Sequence, residues 1–100
     1  MLNMTEKREG NLLTLALEGR IDTNTAPTLQ SAVNPLPDGV THIVLDFEKV
    51  DYISSAGLRV LLNLEQNLEE IDGQLELIHV SDLIRDVFDI TGFVDILTIL

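Results

Sequence analysis

The chain predicts an α/β domain built on a mixed sheet of four to five strands, with right-handed βα crossovers and helices packed against the sheet. Three observations carry this expectation. Two segments of alternating polarity flank Gly10-Asn11, a turn pair that joins hairpin strands. After them, helical and extended patterns alternate to the end of the chain, the order that gives parallel strands joined by crossover helices. Between the first two helical patterns stands Ile43-Val44-Leu45, apolar at consecutive positions as in a central parallel strand covered by other elements.

Each element has its own local cause. Residues 5–9 and 12–18 form the hairpin, and Leu13, Leu15 and Leu17 share the face expected to be buried. Thr25 can cap a short helix with Ala26 and Pro27 in its first turn, and Leu29, Ala32 and Val33 supply its apolar stripe. Asn34-Pro35 ends that helix, and Pro37-Asp38-Gly39 makes the following loop. The long helix after Ser55 is expected to bury Leu58, Leu61, Leu62, Leu64 and Leu68 and to leave Arg59, Asn63, Gln66 and Glu70 polar. Asp72-Gly73 turns the chain into a strand over 75–80. Ser81 or Asp82 caps a third helix that carries Leu83, Ile84, Val87 and Phe88, with Gly92 as its C-terminal stop. Residues 93–100 read as a final extended segment, placed in the core.

One hundred residues suit one domain, 1–100, with a single modest core. A hydrophobic fraction of 45% with 23% charged residues is a globular composition, which argues against disorder despite the charge imbalance. Seventeen acidic residues against six basic ones give a formal charge of -11, which repels phosphate backbones and anionic lipid surfaces. Direct nucleic-acid binding is therefore not expected, and control of transcription would have to pass through another protein. The chain has no cysteine, so disulfides and thiolate metal sites are excluded. The first residues lack the basic-then-apolar order of a signal peptide, and no apolar run approaches the roughly 20 residues of a membrane span. A cytoplasmic protein without membrane insertion is the expectation.

Residues 50–62, Val-Asp-Tyr-Ile-Ser-Ser-Ala-Gly-Leu-Arg-Val-Leu-Leu, place two adjacent hydroxyls where an extended segment gives way to an amphipathic helix. Backbone N–H groups in a first helical turn lack intrahelical partners, and the helix dipole adds partial positive charge, so an oxyanion on Ser54 or Ser55 is favoured there. A serine at this point also serves as a plain N-cap. No Gly-x-Ser-x-Gly elbow or Walker phosphate loop is present, and no general base stands near Ser55 in sequence. No catalytic residue and no cofactor is assigned. His42 and His79 fall at the edges of predicted strands, far apart and without an acidic residue at metal-ligand spacing, so no metal site is expected either.

This junction resembles the signature of the STAS family, small bacterial domains that act as anti-sigma factor antagonists. There the phosphoacceptor serine starts the helix, two residues before a Gly-Leu pair; on this chain it is Ser55, ahead of Gly57-Leu58 and after the apolar Tyr52-Ile53. Residues 17–22, Leu-Glu-Gly-Arg-Ile-Asp, are similar to the family's second strand with its terminal acidic residue, and Ile43-Val-Leu-Asp46-Phe to its third. The chain departs from the pattern at Ser54, where many phosphorylated members carry Asp.

The resemblance implies a STAS-like fold and a binding module without chemistry of its own. Its partners would be an anti-sigma factor with serine kinase activity, which phosphorylates Ser55, and a serine phosphatase that restores it. Asp22, Ser54, Ser55, Gly57 and Leu58 would form the partner surface, with Ser54 as the reserve phosphoacceptor. A different job for the same fold is a non-switching accessory subunit or scaffold of a transporter or signalling complex. Two positions stay open on sequence alone: Asp22 suits a local turn or cap as well as a partner contact, and Gly57 suits close helix packing as well as room for a partner. Asp46 is expected to satisfy nearby backbone donors.

Overall fold

The computed structural model describes residues 1–100. Five strands and three α-helices follow one another as β1 (Leu2–Glu9), β2 (Leu12–Ile21), α1 (Ala26–Val33), β3 (His42–Ile53), α2 (Ser55–Glu69), β4 (Gln74–Ile78), α3 (Asp82–Thr91) and β5 (Thr98–Ile99), with a 3-10 turn at Phe93–Asp95. The sheet order is β1-β2-β3-β4-β5. The β1–β2 hairpin is antiparallel and every later neighbour is parallel, as the mixed-sheet expectation required.

Sequential parallel order has a consequence for the layers. When each crossover steps to the next strand in the same direction with the same hand, all its helices land on one face of the sheet. Leu13, Leu15 and Leu17 of β2, Ile43, Leu45 and Phe47 of β3, and Leu75 and Leu77 of β4 point to that face and are buried. Their alternating neighbours Thr14, Ala16, Val44, Asp46 and Glu76 are only half-buried. This corrects the reading of Ile43-Val44-Leu45 as a strand covered on both faces.

One cluster of buried apolar residues joins this face to the helices, through Leu29 and Val33 of α1, Leu58, Leu61, Leu64 and Leu68 of α2, and Ile84 and Phe88 of α3. Phe47 and Phe88 meet edge to face, 6.3 Å apart and at 63° between planes, which fixes α3 under β3. Within α2, Leu62, expected in the core, is only half-buried, and Val60, not among the expected core residues, is buried. The helix packs against α1 as well as the sheet, so its buried stripe turns toward α1. Leu83, read among the apolar residues of α3, is exposed, while Ile84 and Phe88 are the buried ones.

The ends of the elements follow capping chemistry. Ser81 rather than Asp82 caps α3, its hydroxyl accepting from the Ile84 N–H at 3.3 Å. Gly92 closes the helix with φ 80°, a left-handed conformation that suits glycine. The predicted final strand over 93–100 is mostly absent: the chain makes a 3-10 turn first and pairs with β4 only at Thr98 and Ile99. Leu97 alone of that run is fully buried.

Candidate functional site

The neighbouring strands β2 and β3 end side by side, with Ile21 in register with Ile53. The Ser54 N–H donates to the Ile21 carbonyl at 2.8 Å, so the chain leaves the sheet at a fixed point and turns directly into α2. Ser54 takes extended backbone angles and its Oγ accepts from the Gly57 N–H at 3.3 Å, which makes it the N-cap. The first intrahelical bond runs from the Leu58 N–H to the Ser54 carbonyl at 2.9 Å. The N–H groups of Ser55 and Ala56 are then the open donors of the first turn. Ser55 is exposed, and its hydroxyl takes no part in the cap.

Gly57 is fixed by packing. A Cβ there would lie 2.6 Å from Ile21 Cγ2 and 2.8 Å from Ile53 Cγ1, closer than carbon atoms approach. The absence of a side chain lets α2 settle on the last residues of β2 and β3. Leu58 is 7% exposed and belongs to the core. Of the five residues expected at the partner surface, Gly57 and Leu58 thus stand behind it, while Ser55, Ser54 and Asp22 reach outward to differing degrees.

Asp22 follows the last residue of β2 and organises the turn into α1. Its Oδ1 accepts from the Asn24 N–H at 2.9 Å and the Thr25 N–H at 3.0 Å. These backbone bonds, that of Thr25 foremost, hold its carboxyl below the usual carboxylate range, with Arg20 adding attraction. Thr25 does not cap α1 through its side chain: its hydroxyl donates to the Arg20 carbonyl at 2.7 Å and accepts from the Asp22 N–H at 2.8 Å. The Arg20 guanidinium sits 4.3 Å over the Tyr52 ring and 3.7 Å from Asp22. Asp22 is therefore a turn-forming residue whose other carboxylate oxygen faces the cation beside it.

A shallow groove runs between α1 and α2 beside the exposed serine. It is lined by Thr23, Ala26, Pro27, Gln30, Ser55, Ala56, Arg59, Val60 and Asn63. The Asp22 turn and the start of α2 thus border one surface, at the end of the sheet where open α/β folds place functional loops.

A second constellation was not visible in the sequence. On the uncovered side of the sheet, Asp46 Oδ1 lies 2.9 Å from His79 Nδ1 and accepts from the Glu48 N–H at 3.0 Å. Donor atoms of Asp46, Glu48 and His79 lie within 4.8 Å of one another, so the parallel register supplies the metal-ligand spacing that the linear sequence lacks. The hydrogen bond to Asp46, more than its charge alone, raises the His79 pKa. His42 Nε2 lies 2.6 Å from Glu76 Oε1 on the next strand. The expectation for Asp46 holds in part: it satisfies a backbone donor and also a histidine.

These features define a small α/β binding domain whose marked surface is an exposed hydroxyl at a helix start, next to a groove. The chain belongs to the STAS-domain family, whose model matches residues 3–100. BtrV of Bordetella bronchiseptica is 34% identical over 96 residues, covering 95% of this chain and 83% of BtrV. The anti-sigma-B factor antagonist of Staphylococcus aureus is 30% identical over 97 residues, covering 96% of this chain and 90% of that protein. Among solved structures, the anti-sigma factor antagonist SpoIIAA in its unphosphorylated form superposes with TM-score 0.85 at 20% identity, covering 98% of this chain and 88% of SpoIIAA. SpoIIAA of Bacillus in its phosphorylated form superposes with TM-score 0.74, also at 20% identity, over 98% of this chain and 91% of that one.

Proposed function

We propose that this chain is an anti-sigma factor antagonist controlled by phosphorylation of Ser55, working in the cytoplasm. The unmodified form binds an anti-sigma factor through the α1–α2 groove and the Asp22 turn, and so releases a sigma factor. The anti-sigma factor is itself a serine kinase and reverses the capture by modifying Ser55; a serine phosphatase restores the hydroxyl. The antagonist supplies a nucleophile and a surface, and the chemistry belongs to its partners.

One observation carries this reading. Two serines stand at the helix start and their roles divide: Ser54 is committed to the cap, and Ser55 is left exposed with free N–H donors beside it. A phosphate there adds roughly -1.5 to -2 charges, which the open donors and the positive end of the helix dipole tolerate. The same group adds bulk and charge to any partner packed on the hydroxyl, and a loss of ~1.4 kcal/mol is enough for tenfold weaker binding. The Staphylococcus aureus relative bears the name anti-sigma-B factor antagonist, which supports the choice of partner. Incubation with the cognate kinase and ATP, followed by peptide mass spectrometry, should place one phosphate on Ser55. A phosphate found on Ser54 alone would overturn the assignment.

A further inference from the structure

The α1–α2 groove is unusual for this molecule in its charge. The chain carries a net charge of -11, yet the groove has no carboxylate in its lining and a single charged residue, Arg59. Lys49 lies outside the groove, in a separate depression beside Asp46 and Glu48. Arg20 is paired with Asp22 and stacked on Tyr52, whereas Arg59 makes no ion pair and is exposed.

Arg59 stands four residues after Ser55 on α2, one turn further along the same face. Side chains on a helix lean toward its N-terminus, and Ser55 and Arg59 line the same groove, so the turn that holds Ser55 is within reach of the guanidinium. An anionic group at position i with a cation at i+4 is the favourable order for such a pair. Arginine also matches phosphate geometry, since its planar fork can give two parallel N–H bonds to two oxygens.

Resting on the phosphorylation of Ser55 argued above, we infer that Arg59 is the residue that reads it: the guanidinium folds back onto the phosphate and pairs with it. The groove then changes sign. One positive charge becomes a net of roughly -0.5 to -1 once a phosphate of about -1.5 to -2 is added. The only cation available to a partner in that groove is also withdrawn from it. The modification thus acts at two places, the hydroxyl it covers and the arginine it captures.

The test uses the full chain with phosphoserine installed at position 55 during translation, so that no kinase is needed. The second ionisation of the phosphate is followed by phosphorus NMR in the wild-type background, in Arg59→Ala and in Arg59→Lys. Arg59 is exposed, and neither substitution should disturb the fold. Pairing with Arg59 should lower the phosphate midpoint in the wild type by about 0.3 units or more relative to Arg59→Ala, with the lysine variant between them. Helix-dipole and N–H contributions are common to all three proteins, so the difference reports the guanidinium alone. Equal midpoints in wild type and Arg59→Ala would show that the helix start holds the phosphate unaided, and would overturn the inference. The switch itself is judged separately, by whether phosphorylation weakens partner binding; its failure would leave the midpoints unchanged, and equal midpoints would leave the switch standing.

Discussion

The backbone N–H of Ser54 donates to the carbonyl of Ile21 at 2.8 Å, and this bond sets the geometry of the whole site. It joins the end of β2 to the residue that caps α2, so the Asp22 turn and the Ser55 hydroxyl are held at neighbouring points of one surface. The bond anchors the helix start to the sheet and leaves the Ser55 hydroxyl after it exposed.

The division of labour between the two serines predicts unequal costs on removal. Ser54→Ala should destabilise the protein by about 1 kcal/mol, the usual loss for an N-cap hydroxyl, whereas Ser55→Ala should stay within about 0.5 kcal/mol of wild type. Urea unfolding of both variants checks this. A larger loss from Ser55→Ala would mean that the cap had been assigned to the wrong serine.

Gly57→Ala sets two effects against each other. Alanine gains about 1 kcal/mol in helix propensity, but its methyl group must displace Ile21 and Ile53, both buried and branched, and overpacking of this kind costs about 1–3 kcal/mol. The packing term should win, with a net loss of up to about 2 kcal/mol. Equilibrium unfolding measures the net, and a stabilised variant would show that α2 is free to shift.

Asp22 offers a comparison of two substitutions. Asparagine keeps an oxygen to accept from Asn24 and Thr25, whereas alanine does not, so Asp22→Ala should melt at a lower temperature than Asp22→Asn. Because the folded carboxyl titrates below its ordinary value of 3.8, its contribution is present above that pH and is lost as the pH falls through the lowered value. Asp22→Asn should lack that acid step in a series of melting curves. Binding of the anti-sigma partner should weaken by more than tenfold in Asp22→Ala, about 1.4 kcal/mol of binding free energy.

The Asp46–His79 pair predicts the opposite pH sign. The folded His79 pKa is raised above 6.5, so its contribution is complete below that value and fades as the pH rises through the folded one. Wild type should therefore lose a small increment of melting temperature across that window, and His79→Gln should not. Identical profiles for the two proteins would show that the pair is not maintained in solution.

Much of this fold was legible because the signals were local. The alternation of Leu13, Leu15 and Leu17 marked a half-buried strand, the Gly10-Asn11 turn marked the hairpin, and the adjacent serines before an apolar stripe at helical spacing marked the start of α2, though which serine is the cap stays open on sequence alone. Features set by long-range register were not legible. Asp46 and His79 are 33 residues apart, and only the parallel pairing of β3 with β4 brings them together. The run 93–100 is apolar without a period, so its division into a 3-10 turn and a two-residue strand depends on where the Gly92 cap releases the chain. The site divides in the same manner. Ser55 could be picked out from its neighbours, but the reason for Gly57 needed Ile21, which lies 36 residues earlier and reaches α2 only through the sheet.

The most direct test of the phosphate switch is the affinity of the cognate anti-sigma factor for unmodified and fully Ser55-phosphorylated protein, measured by calorimetry alongside circular dichroism and melting temperature of both forms. Binding should fall by more than tenfold on phosphorylation, about 1.4 kcal/mol, while the helical signal and melting temperature stay near the unmodified values. Undiminished affinity of the phosphorylated form would contradict the switch, and a large loss of helical signal would show that it works by unfolding instead of by spoiling the surface around Ser55.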